Sequence, residues 1–408
     1  MPSQKEFLTG FSSVAIHSGH EDDGSNAHLT PIYASSTYVF DSAEQGMRRF
    51  NGEEKGYIYS RWGNPTMAEA EKKIAALESF GIRDENGNPF QLKTLLHASG
   101  MAALATLLLG NLKAGDKILS HFSLYGGTQE LMEKVLPGLG IEAIIVDLRN
   151  LNAAEDAIKN DRGIKMLYLE TPANPTIQCV DIEELTKLGK RNNLIVAVDN
   201  TFATPYLQKP FKYGVDYVFH STTKFLNGHG TAIGGALVGK DIEYMETRMT
   251  KVHRLLGGCS NSFDAFLLTQ GMKTLEVRMQ RHCDNAMQVA KFLQQNESVS
   301  KVNYLGLTSH PDYSTANKQM KHPGAMLSFE LKDGLAAGKK FIDKLQMCVR
   351  AVSLGTCDTL LSHPASMTHF GVPKEKREKY GITDGLIRMS VGIENIEDIL
   401  NDLDQALK

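Results

Sequence analysis

The 408-residue sequence predicts an α/β fold, a mostly parallel central sheet with helices on both faces, followed by a smaller C-terminal α+β unit. Three observations carry that reading. Between residues 93 and 221 short β-prone runs alternate with helical stretches, the pattern of successive βαβ units. Past residue 240 the alternation gives way to long helical periodicity, with β-prone runs returning only near 324. The length suffices to bury a large core in two or three domains, and the composition is that of an ordinary globular chain.

In order along the chain, residues 1–60 are rich in Gly, Ser, Asn and Asp, yet carry Tyr33, Tyr38, Phe40, Phe50, Tyr57 and Tyr59. Disordered tails have few aromatic residues, so this arm is expected to pack on something, including another subunit. An amphipathic stretch over 67–80 reads as helix, and the Asp84 to Pro89 cluster as a turn. Strands are predicted at 93–97, 117–121, 141–147, 165–170, 194–199 and 217–221, with helices near 100–111, 125–136, 152–160 and 181–192. Helices are then expected over 241–254 and 262–296, strands near 324–331, 349–354 and 386–391, and a last helix from 395. The domain reading is an arm (1–60), a large α/β domain (61–260) and a smaller α+β domain (261–408).

In a parallel sheet, ligands bind at the carboxyl ends of the strands, and residues of chemical interest follow the predicted strands there. Ser99-Gly100-Met101 follows the first strand and opens a helix, where backbone N–H groups and the helix dipole suit an anion; a tight turn with no ligand is the plainer alternative. Tyr125-Gly126-Gly127 follows the second and could stack on a flat ring. Asp199 ends an apolar run and is either a helix cap or the partner of a cation. His220 to Gly230 sets one lysine, Lys224, behind Ser221 and Thr223. A partly desolvated lysine there can form a Schiff base with a carbonyl, although most such lysines are solvated loop residues. Arg388 stands alone in the apolar run from 385 to 392 and needs an anion, either a substrate carboxylate or a structural acid. Pro137 to Ala143 matches a glycine-rich dinucleotide fingerprint, but lies between a helix and a strand, the reverse of what that fingerprint requires.

With 44 basic against 47 acidic residues the net charge is −3, which points to a small-molecule partner and away from nucleic acid or an anionic membrane. Five scattered cysteines without a C-x-x-C pair argue against a disulfide framework or zinc site, and no metal is expected. The opening run MPSQKEFLTGFSS lacks the features of an export signal, and the longest apolar run, 101–109, is too short to span a bilayer. A cytoplasmic location is expected.

Taken together, Tyr59-Ser60-Arg61, Glu170 to Pro175, Ser221 to Lys224, His363 to His369 and the Arg388 strand resemble the Cys/Met metabolism family of pyridoxal-phosphate enzymes, which includes methionine γ-lyases, cystathionine lyases and γ-synthases, and O-acylhomoserine sulfhydrylases. The resemblance spans essentially the whole chain. It implies a type I aminotransferase-like fold, pyridoxal 5'-phosphate as cofactor, and a homotetramer of two tight dimers with shared active sites. It also implies roles. Lys224 would link to the cofactor aldehyde and serve as base, and Asp199 would keep the pyridine nitrogen protonated. Ser99, Gly100, Met101, Ser221 and Thr223 would bind the phosphate, together with Tyr59 and Arg61 of a neighbouring subunit. Tyr125 would stack on the ring and assist proton transfer, while Asn174, Ser353 and Arg388 would surround the substrate carboxylate and the cofactor's phenolic oxygen. The implied reaction is carbon–sulfur cleavage of a sulfur amino acid, with γ-elimination from methionine to 2-oxobutanoate, ammonia and methanethiol as the leading form. Cystathionine cleavage or synthesis and acylhomoserine sulfhydrylation are the alternatives. Val352 stands where cystathionine-handling members carry a glutamate and favours an uncharged tail. Gly127, in place of a cysteine, and His253-Arg254, in place of a Lys-Asp pair, depart from the methionine γ-lyase pattern.

Overall fold

The computed structural model describes residues 8–20 and 24–408. The expectation for residues 1–7 and the part of the arm at 21–23 lie outside the described residues. In chain order the strands are β1 (Lys93–His97), β2 (Lys117–His121), β3 (Glu142–Val146), β4 (Ile164–Glu170), β5 (Ile195–Asp199), β6 (Tyr217–Ser221), β7 (Gly235–Gly239), β8 (Val299–Asn303), β9 (Met326–Leu331), β10 (Val349–Arg350), β11 (Leu360–Ser362) and β12 (Leu386–Ser390). The chain forms two compact units. The first is Met1–Asn111 with Phe219–Thr223 and Thr231–Thr274; the second is Leu112–Val218 with Lys224–Gly230 and Leu275–Lys408.

In the first unit β1 pairs antiparallel with β7, setting His97 opposite Gly235. The helix Pro65–Ser79 starts where Asn64 accepts the Thr66 N–H and Pro65 presets the first turn. Its Lys73 is fully buried and donates to the carbonyl oxygens of Ala15, Ile16 and Ser18. Those are the open acceptors at the end of the helix Phe11–His17, so one ammonium both closes that helix and fastens it to its neighbour.

In the second unit β2 lies between β3 and β4, β4 lies beside β5, and all three pairings are parallel. Glu170 and Asp199, the last residues of β4 and β5, stand side by side in register. The helices Leu151–Asn160 and Ile182–Arg191 carry the crossovers between these strands. The five later strands form a sheet in the order β10-β11-β12-β9-β8, antiparallel except for β10 beside β11. Leu293, Tyr304, Phe329, Phe341, Ile387 and Leu403 fill its core, each gaining about 1.5–3 kcal/mol by leaving water.

The expected alternation of strands and helices is present, with several departures. β7, β8 and β11 were not expected, and the strand expected over 349–354 shrinks to the two residues of β10. The arm holds two helices, Phe11–His17 and Ala43–Phe50. The expected helix over 262–296 breaks at Thr274, whose hydroxyl turns back to the Gly271 carbonyl at 3.2 Å and ends Ser262–Lys273 before Leu275–Gln294 begins. The helix expected over 125–136 is regular only over Gly126–Glu130; it widens over Leu131–Val135 and tightens over Leu136–Leu139, where Pro137 leads into Gly140 at φ +74°. That last turn is the glycine-rich match, and it joins a helix to a strand as its position in the sequence implied. Among the described residues no helix is long and apolar enough to cross a membrane.

Candidate active site

The second unit gathers Lys224, Ser353, Arg388 and Asn174 into one bonded chain. The Lys224 ammonium donates to the Ser353 hydroxyl at 2.8 Å. Arg388 donates through Nη2 to the Ser353 carbonyl at 2.7 Å and through Nη1 to Asn174 Oδ1 at 3.2 Å. Ser353 sits at φ +90°, a left-handed conformation that costs a non-glycine residue about 1–3 kcal/mol, and the Arg388 bond to its carbonyl helps hold it there. Val352, just before it, is 58 % exposed.

Arg388 is 7 % exposed, and its Nε has no partner. Burial drives its guanidinium down to about 10, with Tyr125 nearby acting in the opposite sense. Among the described residues no carboxylate pairs with it, so the alternative of a structural salt bridge falls away. A buried guanidinium with a free donor is a receptor for a carboxylate.

Among the described residues two lysines, the buried Lys73 and the half-buried Lys224, have markedly depressed pKa values, and they differ in how their donors are used. Burial lowers Lys73 to about 8, but three carbonyl oxygens occupy its donors. Burial, helped by the Arg388 charge, lowers Lys224 to about 8 as well, and Lys224 bonds only to one hydroxyl. A neutral amine is therefore accessible at Lys224 near neutral pH. The turn that carries it is tightly held. Arg278 Nη1 donates to the Phe225 carbonyl at 2.8 Å, and a side chain at Gly228, φ +74°, would come within 2.0 Å of that nitrogen.

Asp199 accepts the Thr201 N–H at 2.9 Å. Tyr125 opens the short helix Gly126–Glu130 and is 49 % exposed. Glu170, quoted in the sequence motif but given no role there, accepts the Tyr125 N–H at 2.8 Å and the Asn174 N–H at 3.1 Å. Burial first and Asp199 second push its carboxyl well above the usual carboxylate range, against the two N–H donors. Glu170 and Arg278 are the residues that sequence reasoning passed over. Glu170 had left the same signal as Asp199, an acid ending an apolar run; Arg278, in the middle of a long helix, left none.

In the first unit Ser99 Oγ accepts the Ala102 N–H at 3.1 Å, starting the helix Gly100–Asn111. The N–H groups of Gly100 and Met101 have no partners within that helix. Gly100 lies against Ser221: a Cβ on it would meet the Ser221 Cβ at 2.9 Å. The Thr223 hydroxyl accepts the Gly234 N–H at 3.0 Å and donates to the Gly234 carbonyl at 3.2 Å. Ser99, Gly100, Met101, Ser221 and Thr223 thus lie around one turn of a single unit. Tyr59 and Arg61 do not join them. Arg61 is exposed, stands over the Tyr59 ring at 5.7 Å and donates to the Arg254 carbonyl at 2.6 Å. His253 is buried, its ring 4.5 Å from that of His97 and its Nε2 2.9 Å from the Leu96 carbonyl oxygen.

These residues fit the cofactor that the resemblance implies. A glycine turn with no room for a side chain at the start of a helix suits a phosphate, a lysine of depressed pKa suits an aldehyde, and a buried arginine that no carboxylate among the described residues pairs with suits an amino-acid carboxylate.

The family model described as Cys/Met metabolism PLP-dependent enzyme matches residues 12–408. The chain is 48 % identical over 401 residues to an L-methionine gamma-lyase of Fusobacterium nucleatum subsp. nucleatum, covering 98 % of each chain. It is 44 % identical over 408 residues to an L-methionine gamma-lyase of Porphyromonas gingivalis, covering 100 % of this chain and 99 % of that one. Among solved structures, a cystathionine gamma synthase from Xanthomonas oryzae pv. oryzae, in complex with aminoacrylate and cysteine, matches with a TM-score of 0.90 at 35 % identity over 98 % of each chain.

Proposed function

Because the chain belongs to the Cys/Met metabolism family of PLP-dependent enzymes, we propose that it is a methionine γ-lyase, releasing 2-oxobutanoate, ammonia and methanethiol from L-methionine. The observation that carries this reading is the pairing of an uncompensated Arg388 with an apolar, exposed Val352 beside Ser353. The first suits the carboxylate that every amino acid has, and the second suits a tail without charge. The similarity to two L-methionine gamma-lyases supports the choice.

When bound, pyridoxal phosphate supplies an aldehyde that condenses with amines and a ring that takes up the electrons left on the α-carbon. Gly100, Met101, Ser99, Ser221 and Thr223 would hold its phosphate, Asp199 its ring nitrogen, Tyr125 its face and Lys224 its aldehyde carbon. Arg388 and Asn174 orient the substrate carboxylate, which fixes the α-hydrogen in space. Lys224 Nζ would take that proton, with the Ser353 hydroxyl, 2.8 Å away, steering the amine. Having passed the first proton on, Lys224 Nζ would take the second from Cβ; the thiolate would depart from Cγ and take the proton of the Tyr125 hydroxyl, and water would then replace the nitrogen to leave 2-oxobutanoate and ammonia.

The quaternary reading is a cytoplasmic homotetramer, its arm of residues 1–60 reaching a neighbouring subunit, with residues 61–260 as the cofactor-binding α/β domain and 261–408 as the smaller α+β domain. Tyr59 and Arg61 would meet the neighbour's cofactor phosphate. Arg61→Ala is accordingly expected to weaken cofactor retention about tenfold or more, the worth of one charge-assisted bond. The thermal midpoint should hardly move, since among the described residues Arg61 reaches the Arg254 carbonyl and the Tyr59 ring and is itself exposed. Equilibrium dialysis of the variant checks this, and unchanged affinity contradicts it.

γ-Replacement is the second reading: Gly127 and His253-Arg254 depart from the methionine γ-lyase pattern, and the chain is similar to a γ-synthase. Assaying methionine, homocysteine, cystathionine, cysteine and O-acetylhomoserine, with and without sulfide, for keto acid and thiol decides between them. Methionine should give both products without sulfide; efficient turnover of only the homoserine ester with sulfide would overturn the proposal. Val352→Glu should shift the kcat/KM ratio about tenfold toward cystathionine, the scale of a single pocket contact, and an unchanged ratio would show that residue 352 does not select the tail.

A further inference from the structure

We infer that Glu170 is a positioning residue of this site, its one carboxyl group holding in place the two loops that carry Tyr125 and Asn174. The geometry is direct. One oxygen accepts the Tyr125 N–H at 2.8 Å and the other accepts the Asn174 N–H at 3.1 Å. Glu170 is 4 % exposed, so both bonds form away from competing water, where losing a partner costs most.

The two loops are also joined by the Ser123 and Thr176 hydroxyls, 2.8 Å apart, but among the described residues only the Glu170 carboxyl accepts both the Tyr125 and the Asn174 N–H. Tyr125 opens its helix without a side-chain cap, and Asn174 lies in a turn closed by Ala173 and Gln178 on one side and Ile177 on the other. Two N–H groups that point at a single side chain need an acceptor oxygen each, which a carboxyl group offers whether ionised or protonated; an amide would turn its NH2 toward one of them. That requirement accounts for a second acid beside Asp199 at the ends of neighbouring strands, an arrangement that like charges disfavour. Glu170 makes no hydrogen bond to Lys224 or Arg388. It acts through the loops: Asn174 Oδ1 accepts from Arg388, and Tyr125 lies close enough to Arg388 to affect its ionisation.

The inference rests on the Lys224-centred reading of the site, so the experiment separates the two. Wild-type holoenzyme and Glu170→Gln are compared for methionine turnover, cofactor dissociation constant by absorbance titration, and far-UV dichroism. The expected result is a kcat about 10- to 100-fold lower, in keeping with a small displacement of positioning groups, and a cofactor dissociation constant raised several-fold, with the dichroism unchanged. Glu170→Asp, which can reach only one of the two N–H groups, should fall between.

Asp402→Asn is the structural control. Asp402 clamps the N–H groups of Gln346, Met347 and Cys348 in the same way, and its loss should lower the thermal midpoint without changing cofactor affinity. Wild-type kinetics and affinity in Glu170→Gln would overturn the inference while leaving the Lys224 reading intact; a wild-type protein that neither binds the cofactor nor turns over would overturn that reading instead. Should Glu170→Gln fail to fold, hydrogen exchange on the wild-type enzyme decides. Slow exchange at the Tyr125 and Asn174 amides supports the clamp, and fast exchange at both refutes it.

Discussion

Lys224→Ala is expected to lower methionine turnover by about 10³-fold or more, because one change removes both the amine that joins the cofactor and the base that moves the α-proton. The stability of the variant follows from the same nitrogen. Burial, with Arg388 nearby, holds the Lys224 pKa at about 8 in the folded chain, against an ordinary value of 10.5. The charged form is thus disfavoured by folding. That penalty is present in full below pH 8, diminishes as the pH rises from 8 to 10.5, and is absent above it. Alanine removes it, so the variant should be at least as stable as the parent at pH 7, and any advantage should shrink on going to pH 10. A thermal scan at the two pH values, with release of keto acid as the activity readout, checks both halves. Wild-type turnover in Lys224→Ala would refute the role.

Arg388→Leu is expected to reduce kcat/KM for methionine about 100-fold or more, the usual cost of removing one partner from a buried, hydrogen-bonded charge pair. Arg388 also supports Ser353 and Asn174, so a loss of activity alone would not isolate carboxylate binding. Comparing methionine with its decarboxylated amine does so. The parent enzyme should prefer the amino acid strongly, and in the variant that preference should collapse, because the amine never used the guanidinium. A preference that survives would mean that the carboxylate binds elsewhere and that Arg388 serves the fold.

Much of the candidate site was proposed from the sequence alone. The strands β1, β2 and β6 fall where β-prone runs end in turn residues, and each carries site residues at or just past its carboxyl end. What sequence reasoning lost was structure set by distant contacts. β7 reads as a loop because glycines bound it, and Gly235 is needed there because a Cβ would lie 2.2 Å from the Ser99 carbonyl oxygen. The helix Ala43–Phe50 was missed although Ser42 accepts the Gln45 N–H and the Gln45 side chain accepts the Asp41 N–H, a reciprocal cap that its spacing announces. Arg388 could have been a salt-bridge residue on sequence grounds; among the described residues the structure pairs it with no acid. The clamp at Glu170 depends on two loops meeting one strand end, and no local pattern encodes that.

The central claim is that Lys224 is the residue covalently joined to the cofactor. Borohydride reduction of the holoenzyme, followed by proteolysis and mass analysis, tests it most directly. The cofactor mass should appear on the peptide containing Lys224 and nowhere else. Its appearance on another lysine, with Lys73 the informative case because burial lowers its pKa equally, would contradict the account.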